Sequence, residues 1–184
     1  MNTILLALAA MAAVNPPRTR LAVPEAGDRR ARLPELAAGT LLGLGVAGSL
    51  ALLSGPLLEW LSVTPETFRI AAGLVLAITG LRSLVWPRPS EEPELPGLRA
   101  ALWPVAFPRV LTPEVAALAL TAGSIEGVGP TVAWLAAAGV ALVLLGVGRR
   151  GPVADGVLRW TGTLLAMLLV AAAAFVMIDG IRDV

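Results

Sequence analysis

The residues of this chain best placed to do chemistry lie together in Phe107-Pro108-Arg109-Val110-Leu111-Thr112-Pro113-Glu114. A cation, an anion, a hydroxyl and two prolines sit inside an apolar run, Leu98 to Ala122, that is long enough to cross a bilayer. Proline removes a backbone donor and clashes with the carbonyl four residues back, so Pro108 and Pro113 are expected to break the helix. Thr112-Pro113-Glu114 then reads as a new helix start, with Thr112 as N-cap, Pro113 in the first position and Glu114 in the first turn. Each flanking piece, Leu98 to Pro108 and Pro113 to Gly123, is about 11 residues or roughly 16 Å long, which puts the break near the bilayer midplane. Unwound backbone and charge are tolerated at that depth where protein or a water-filled cavity surrounds them, as in the solute site of a transporter.

Arg109 near the midplane costs ~2.5–3.5 kcal/mol on insertion scales, and something must offset that cost. One candidate is Glu114, in an internal ion pair. The other is an anionic solute group shared between Arg109, Arg18 and the half-helix N-terminus at Pro113. The two are compatible if Glu114 yields to solute. Glu114 also reads as a proton-coupling carboxylate or as a plain first-turn helix charge. Asn15, within Asn15-Pro16-Pro17-Arg18, offers donor and acceptor beside freed carbonyls, either to a ligand or as the cap of a second broken helix. Arg18 is a solute contact or the first residue of a basic loop. The substrate-binding set is therefore Asn15, Pro16, Arg18, Pro108, Arg109, Thr112 and Glu114. Arg69 and Asp179 are accessory: Arg69 is expected to snorkel at the outer interface and Asp179 to pair with Arg182.

The elements that must position these residues are set by composition. Of 184 residues, 57% are hydrophobic and 15% charged, which excludes a soluble domain and predicts an all-α polytopic membrane protein. The net charge of +1 carries no basic stripe with interleaved aromatics, so no nucleic-acid partner is expected. There is no Cys, His, Tyr or Lys. Thiol redox chemistry, a Cys/His zinc site, His- or Cys-ligated haem and nucleophile–His catalysis are all excluded. No metal, no cofactor and no enzymatic activity are expected. The partners are the lipid bilayer and a small-molecule solute, with a homo-oligomer left open.

Six spans are expected in one membrane domain over residues 1–184. Half one is about 1–86, a Pro-rich acidic linker about 87–97, and half two about 98–184. Span one is Met1 to Val14, with its arginines after rather than before it, the reverse of a secretory signal. Span two runs from Leu33 to Leu61, with Gly39, Gly43, Gly45 and Gly48 as a close-packing face. Span three, Thr64 to Val85, opens with a second Thr-Pro-Glu. Span four is the broken one, span five runs from Thr131 to Val147, and span six from Ala154 to Ile181. Trp60, Trp86 and Trp103 fall at helix ends, as an aromatic belt places them. Arginines crowd the one–two, three–four and five–six connections and are absent from the two–three and four–five loops. Both termini are therefore expected outside, in the inner or plasma membrane.

With three spans per half, the second half inserts upside down relative to the first. Paired motifs keep the same order in both halves. Pro17-Arg18 and Pro24-Glu25 echo Pro108-Arg109 and Pro113-Glu114; Gly55-Pro56 echoes Gly151-Pro152; Thr79-Gly80-Leu81-Arg82 echoes Asp179-Gly180-Ile181-Arg182. A 3+3 inverted repeat with broken helices one and four is the fold expected.

Asn15-Pro16, Phe68-Arg69-Ile70-Ala71-Ala72-Gly73 with Gly80-Leu81-Arg82-Ser83-Leu84, Pro104-Val105-Ala106-Phe107-Pro108, and Asp179-Gly180-Ile181-Arg182 together resemble the MarC family of the LysE exporter superfamily. The resemblance covers nearly the whole chain. It implies a six-span inner-membrane protein, and some relatives are described as carrying small neutral amino acids. The chain departs from the family pattern at Thr112-Pro113-Glu114, where Gly-Pro-Gly is usual, and at Pro17-Arg18-Thr19-Arg20, where small residues are usual. The expected function is a secondary carrier exporting a small polar or anionic metabolite. The alternatives are a non-transporting scaffold or regulatory protein and a lipid-phosphate flippase.

Overall fold

The computed structural model describes residues 3–22, 29–85, 99, 101–148 and 151–183, so the 87–97 linker, Trp86 and Pro24-Glu25 lie outside the described residues. The described chain is helical with no strand: α1 (Thr3–Val14), α2 (Pro16–Ala22), α3 (Arg29–Leu52), α4 (Ser54–Trp60), α5 (Pro65–Val85), α6 (Ala101–Val110), α7 (Pro113–Ile125), α8 (Val128–Val147) and α9 (Pro152–Asp183). Among these residues, four helices are long and apolar enough to cross a membrane: Leu33–Leu52 of α3, α5, α8 and α9. The pair α6 and α7, bent by 65°, makes a fifth if counted as one broken span. Leu74, Ile78 and Leu81 on α5, and Trp160, Leu164, Phe175 and Ile178 on α9, are all exposed, which suits contact with lipid chains.

Both Thr-Pro-Glu triplets start helices as expected. Thr112 Oγ1 accepts from the Val115 N–H at 3.3 Å, and Thr64 Oγ1 accepts from the Thr67 N–H at 3.3 Å. Span two does not run unbroken to Leu61. α3 stops at Leu52 and α4 begins at Ser54, because Pro56 has no N–H to give the Leu52 carbonyl and its ring crowds that carbonyl. α1 has 12 residues, about 18 Å, against a hydrocarbon core of about 30 Å.

Inside a bilayer helices gain no hydrophobic free energy from leaving lipid for one another, so small residues that permit close packing decide which faces meet. α5 runs antiparallel along α9: Glu66 and Arg69 lie against Gly180, Gly73 against Met177, and Gly80 against Val170. α3 packs on α6, α7 and α8. Gly39 and Gly43 face α6, where a Cβ on Gly43 would lie 2.8 Å from Val110 Cγ1, and Gly48 faces Val132 of α8. Gly45 is a correction to the expected glycine face: two residues from Gly43 it points about 200° away, into open space.

The interior is filled by the short helices. Leu6, Ala9, Ala10, Ala12, Ala13 and Val14 of α1 and Val115, Leu118, Ala119 and Ala122 of α7 belong to one buried cluster. α1 packs against α7, α8 and α9, while α7 packs against α1, α3, α4, α5 and α8.

Candidate functional site

Two interruptions bring backbone and polar side chains into this interior. The first is Asn15, between α1 and α2. Its φ is 43°, in the left-handed region that asparagine tolerates better than most residues. The Asn15 N–H closes α1 on the Met11 carbonyl at 3.0 Å, and its own carbonyl accepts from the Arg18 and Thr19 N–H groups at 3.0 Å each. Asn15 Oδ1 accepts from the Arg18 N–H at 3.3 Å, and Nδ2 donates to the Gly162 carbonyl at 2.9 Å. Asn15 thus caps α2 and ties the break to α9. Pro16 occupies the first position of α2, where a missing N–H costs no intrahelical bond.

α2 carries two arginines into the structure. Arg18 Nη1 donates to Ser83 Oγ near the end of α5. Arg20, placed in a basic loop on sequence grounds, is instead buried at 9% exposure, and its Nε donates to the Leu145 carbonyl at 3.3 Å. That carbonyl belongs to the last turn of α8, where aligned peptide dipoles favour a cation.

The second interruption begins earlier than expected. In α6 the backbone leaves helical geometry at Trp103 (φ −134°, ψ 119°) and at Phe107 (φ −135°, ψ 128°). Thr112 is extended as well, at φ −94° and ψ 161°. Each of the three precedes a proline, whose Cδ disfavours helical geometry in the residue before it. The Phe107–Pro108 peptide bond is cis. The Leu111 N–H reaches back to the Ala106 carbonyl at 2.8 Å, five residues away. Arg109 at 7% exposure, Thr112 at 2% and Glu114 at 6% are all buried around this bend, and both Arg109 and Glu114 engage partners within the protein.

Arg69 and Asp179 depart from expectation. Arg69 does not snorkel; it is buried at 8%, and its Nη1 donates to Asp179 Oδ2 at 3.0 Å and to Asp183 Oδ2 at 2.6 Å. Asp179 therefore pairs across the α5–α9 seam rather than with the exposed Arg182. Gly180 permits this, because a Cβ there would lie 3.0 Å from Arg69 Cβ.

The structure thus joins Asn15 to Gly162, Arg18 to Ser83, and Arg69 to Asp179. The last two clusters sit near opposite ends of α5, 14 residues or about 21 Å apart. Asp183, Ser83 and Arg20 were missed as contacts. Ser83 stood within a motif already singled out, and Asp183 stands one turn after Asp179, the spacing at which two side chains reach one partner. Among the described residues no group of three or more His, Cys, Asp or Glu could hold a metal ion. No family model, curated protein or solved structure matches the chain.

Proposed function

We propose that the chain is a secondary carrier of small anionic or polar metabolites, built as a six-span 3+3 inverted repeat related to the MarC family. Its solute site lies where the broken spans α1–α2 and α6–α7 meet the bilayer midplane, and transport runs outward across the inner or plasma membrane. The observation that carries this reading is Arg109, buried at 7% in the last turn of α6, two residues past the non-helical Phe107, within a bundle of apolar helices. A cation held at that depth is costly and suits a negative solute group aligned with the N-terminus of α7.

The repeat is supported by the pairing of elements. α1–α2 lies against α8 and α9, α6–α7 lies against α3 and α5, and the remaining long helices pair as α3 with α8 and α5 with α9. Each broken span is thus embraced by two helices of the other half, as a two-fold-related carrier requires. In this reading α1 and α2 together supply the first span, both termini lie outside, and the Arg69 and Arg18 clusters close opposite ends of the α5–α9 seam.

Thermal denaturation of the purified chain against amino acids, carboxylates and phosphates tests the proposal, followed by uptake of any stabilising solute into proteoliposomes. Saturable stabilisation by an anionic solute that is lost in Arg109→Gln is the expected result. A wild-type protein stabilised by none of these solutes and inactive in proteoliposomes would sink it in favour of a scaffold.

A further inference from the structure

Thr121 lies in the buried middle of α7. It is 2% exposed, and its Oγ1 is buried with no hydrogen-bond partner. Other hydroxyls on these helices close onto a carbonyl one turn back: Thr40 on Leu36 at 2.7 Å, Thr79 on Val75 at 2.8 Å, Thr131 on Gly127 at 2.8 Å and Thr161 on Val157 at 2.8 Å. Thr121 has Ala117 at the same spacing and does not use its carbonyl. A buried hydroxyl without a partner is costly to keep, and valine fills the same volume without that cost.

Position completes the argument. Seven residues separate Glu114 from Thr121, and seven steps of a 3.6-residue helix return to within about 20° of the same direction. Thr121 therefore stands on the face of α7 that carries Glu114, about 10.5 Å further along. Glu114 stands at the head of that face, with Arg109 and Thr112 buried at the bend just before it, and Thr121 is the next polar group along it.

We propose that Thr121 is a second solute contact of the carrier site, recognising an uncharged hydrogen-bonding group at the far end of a carboxylate held at Arg109. The proposal rests on the carrier reading above and adds a substrate class to it. A threonine hydroxyl gives one donor and two acceptor lone pairs and no charge, so it selects a hydroxyl or amide rather than a second ion.

The test compares hexanoate with 6-hydroxyhexanoate as stabilisers of the purified full-length chain in wild type, Thr121→Val, Thr121→Ser and Arg109→Gln. The wild type should half-saturate with 6-hydroxyhexanoate at about tenfold lower concentration than with hexanoate, one hydrogen bond's worth. Thr121→Val should lose that preference and bind both as hexanoate is bound, while Thr121→Ser keeps it. Without ligand, Thr121→Val should melt at or above the wild-type temperature, which separates lost recognition from lost folding. A Thr121→Val protein that keeps the tenfold preference overturns the inference. If Arg109→Gln then loses both responses, the carrier reading survives without Thr121. A wild type that does not distinguish the two compounds also overturns the inference, and one that responds to neither overturns both readings.

Discussion

Arg69 Nη1 lies 3.0 Å from Asp179 Oδ2 and 2.6 Å from Asp183 Oδ2, so one guanidinium nitrogen joins α5 to α9 across more than 100 residues of chain. Removing the cation strands two carboxylates one turn apart on α9. A fully buried pair broken this way loses ~3–5 kcal/mol, but both aspartate side chains are 50% exposed and water screens them, so about 1–3 kcal/mol is expected. Arg69→Leu should lower the midpoint of thermal unfolding, and adding Asp179→Asn with Asp183→Asn should restore part of the loss. A triple variant no better than Arg69→Leu alone would show that the aspartates contribute no repulsion.

A second prediction concerns α3. Leucine at position 43 must overlap Val110 of α6, whereas position 45 faces open space. Gly43→Leu should cost about 1–3 kcal/mol and reduce folded yield, while Gly45→Leu behaves as wild type. Size-exclusion profiles of the two variants, purified in parallel, would show it; equal yields would put α6 elsewhere.

The orientation proposed from the arginine distribution is tested with introduced cysteines, because the chain has no native one. Gly129 and Gly151 both have open space where a side chain would go. Gly129→Cys should react with an impermeant maleimide on intact cells and Gly151→Cys only after lysis. The reverse pattern would invert the topology.

Arg109 and Glu114 call for a double-mutant cycle. If they serve only each other, Arg109→Gln with Glu114→Gln should transport as the wild type does, because removing both avoids stranding either. If Arg109 holds an anionic solute, the double variant should fold and fail to bind. Arg109→Lys should retain weakened activity, since lysine keeps the charge without the two-pronged geometry. We expect the second pattern, measured as ligand-induced stabilisation of the purified variants.

The bend at Pro108 and Pro113 was legible in the sequence because proline acts locally: it deletes one donor and restricts one neighbour whatever surrounds it. Thr112 as N-cap and Gly43 as a contact were legible for the same kind of reason. The partners of Arg69 and Arg20 were not. An arginine near the end of an apolar segment has the same local signature whether it reaches water or another helix. Only the close approach of α9 at Gly180, and the seating of α2 against α8, decide between these. Local rules also missed that α3 ends at Leu52, although Pro56 carried the signal.

The neighbours of α1 set an order on biogenesis. In chain order α1 precedes α7, α8 and α9, the helices that cover it. Until they arrive, a 12-residue helix too short to span the bilayer has no second-half surface to rest on. The packing of α1 therefore waits on synthesis of the second half, and a nascent chain arrested before α7 should leave α1 accessible to quality-control proteases.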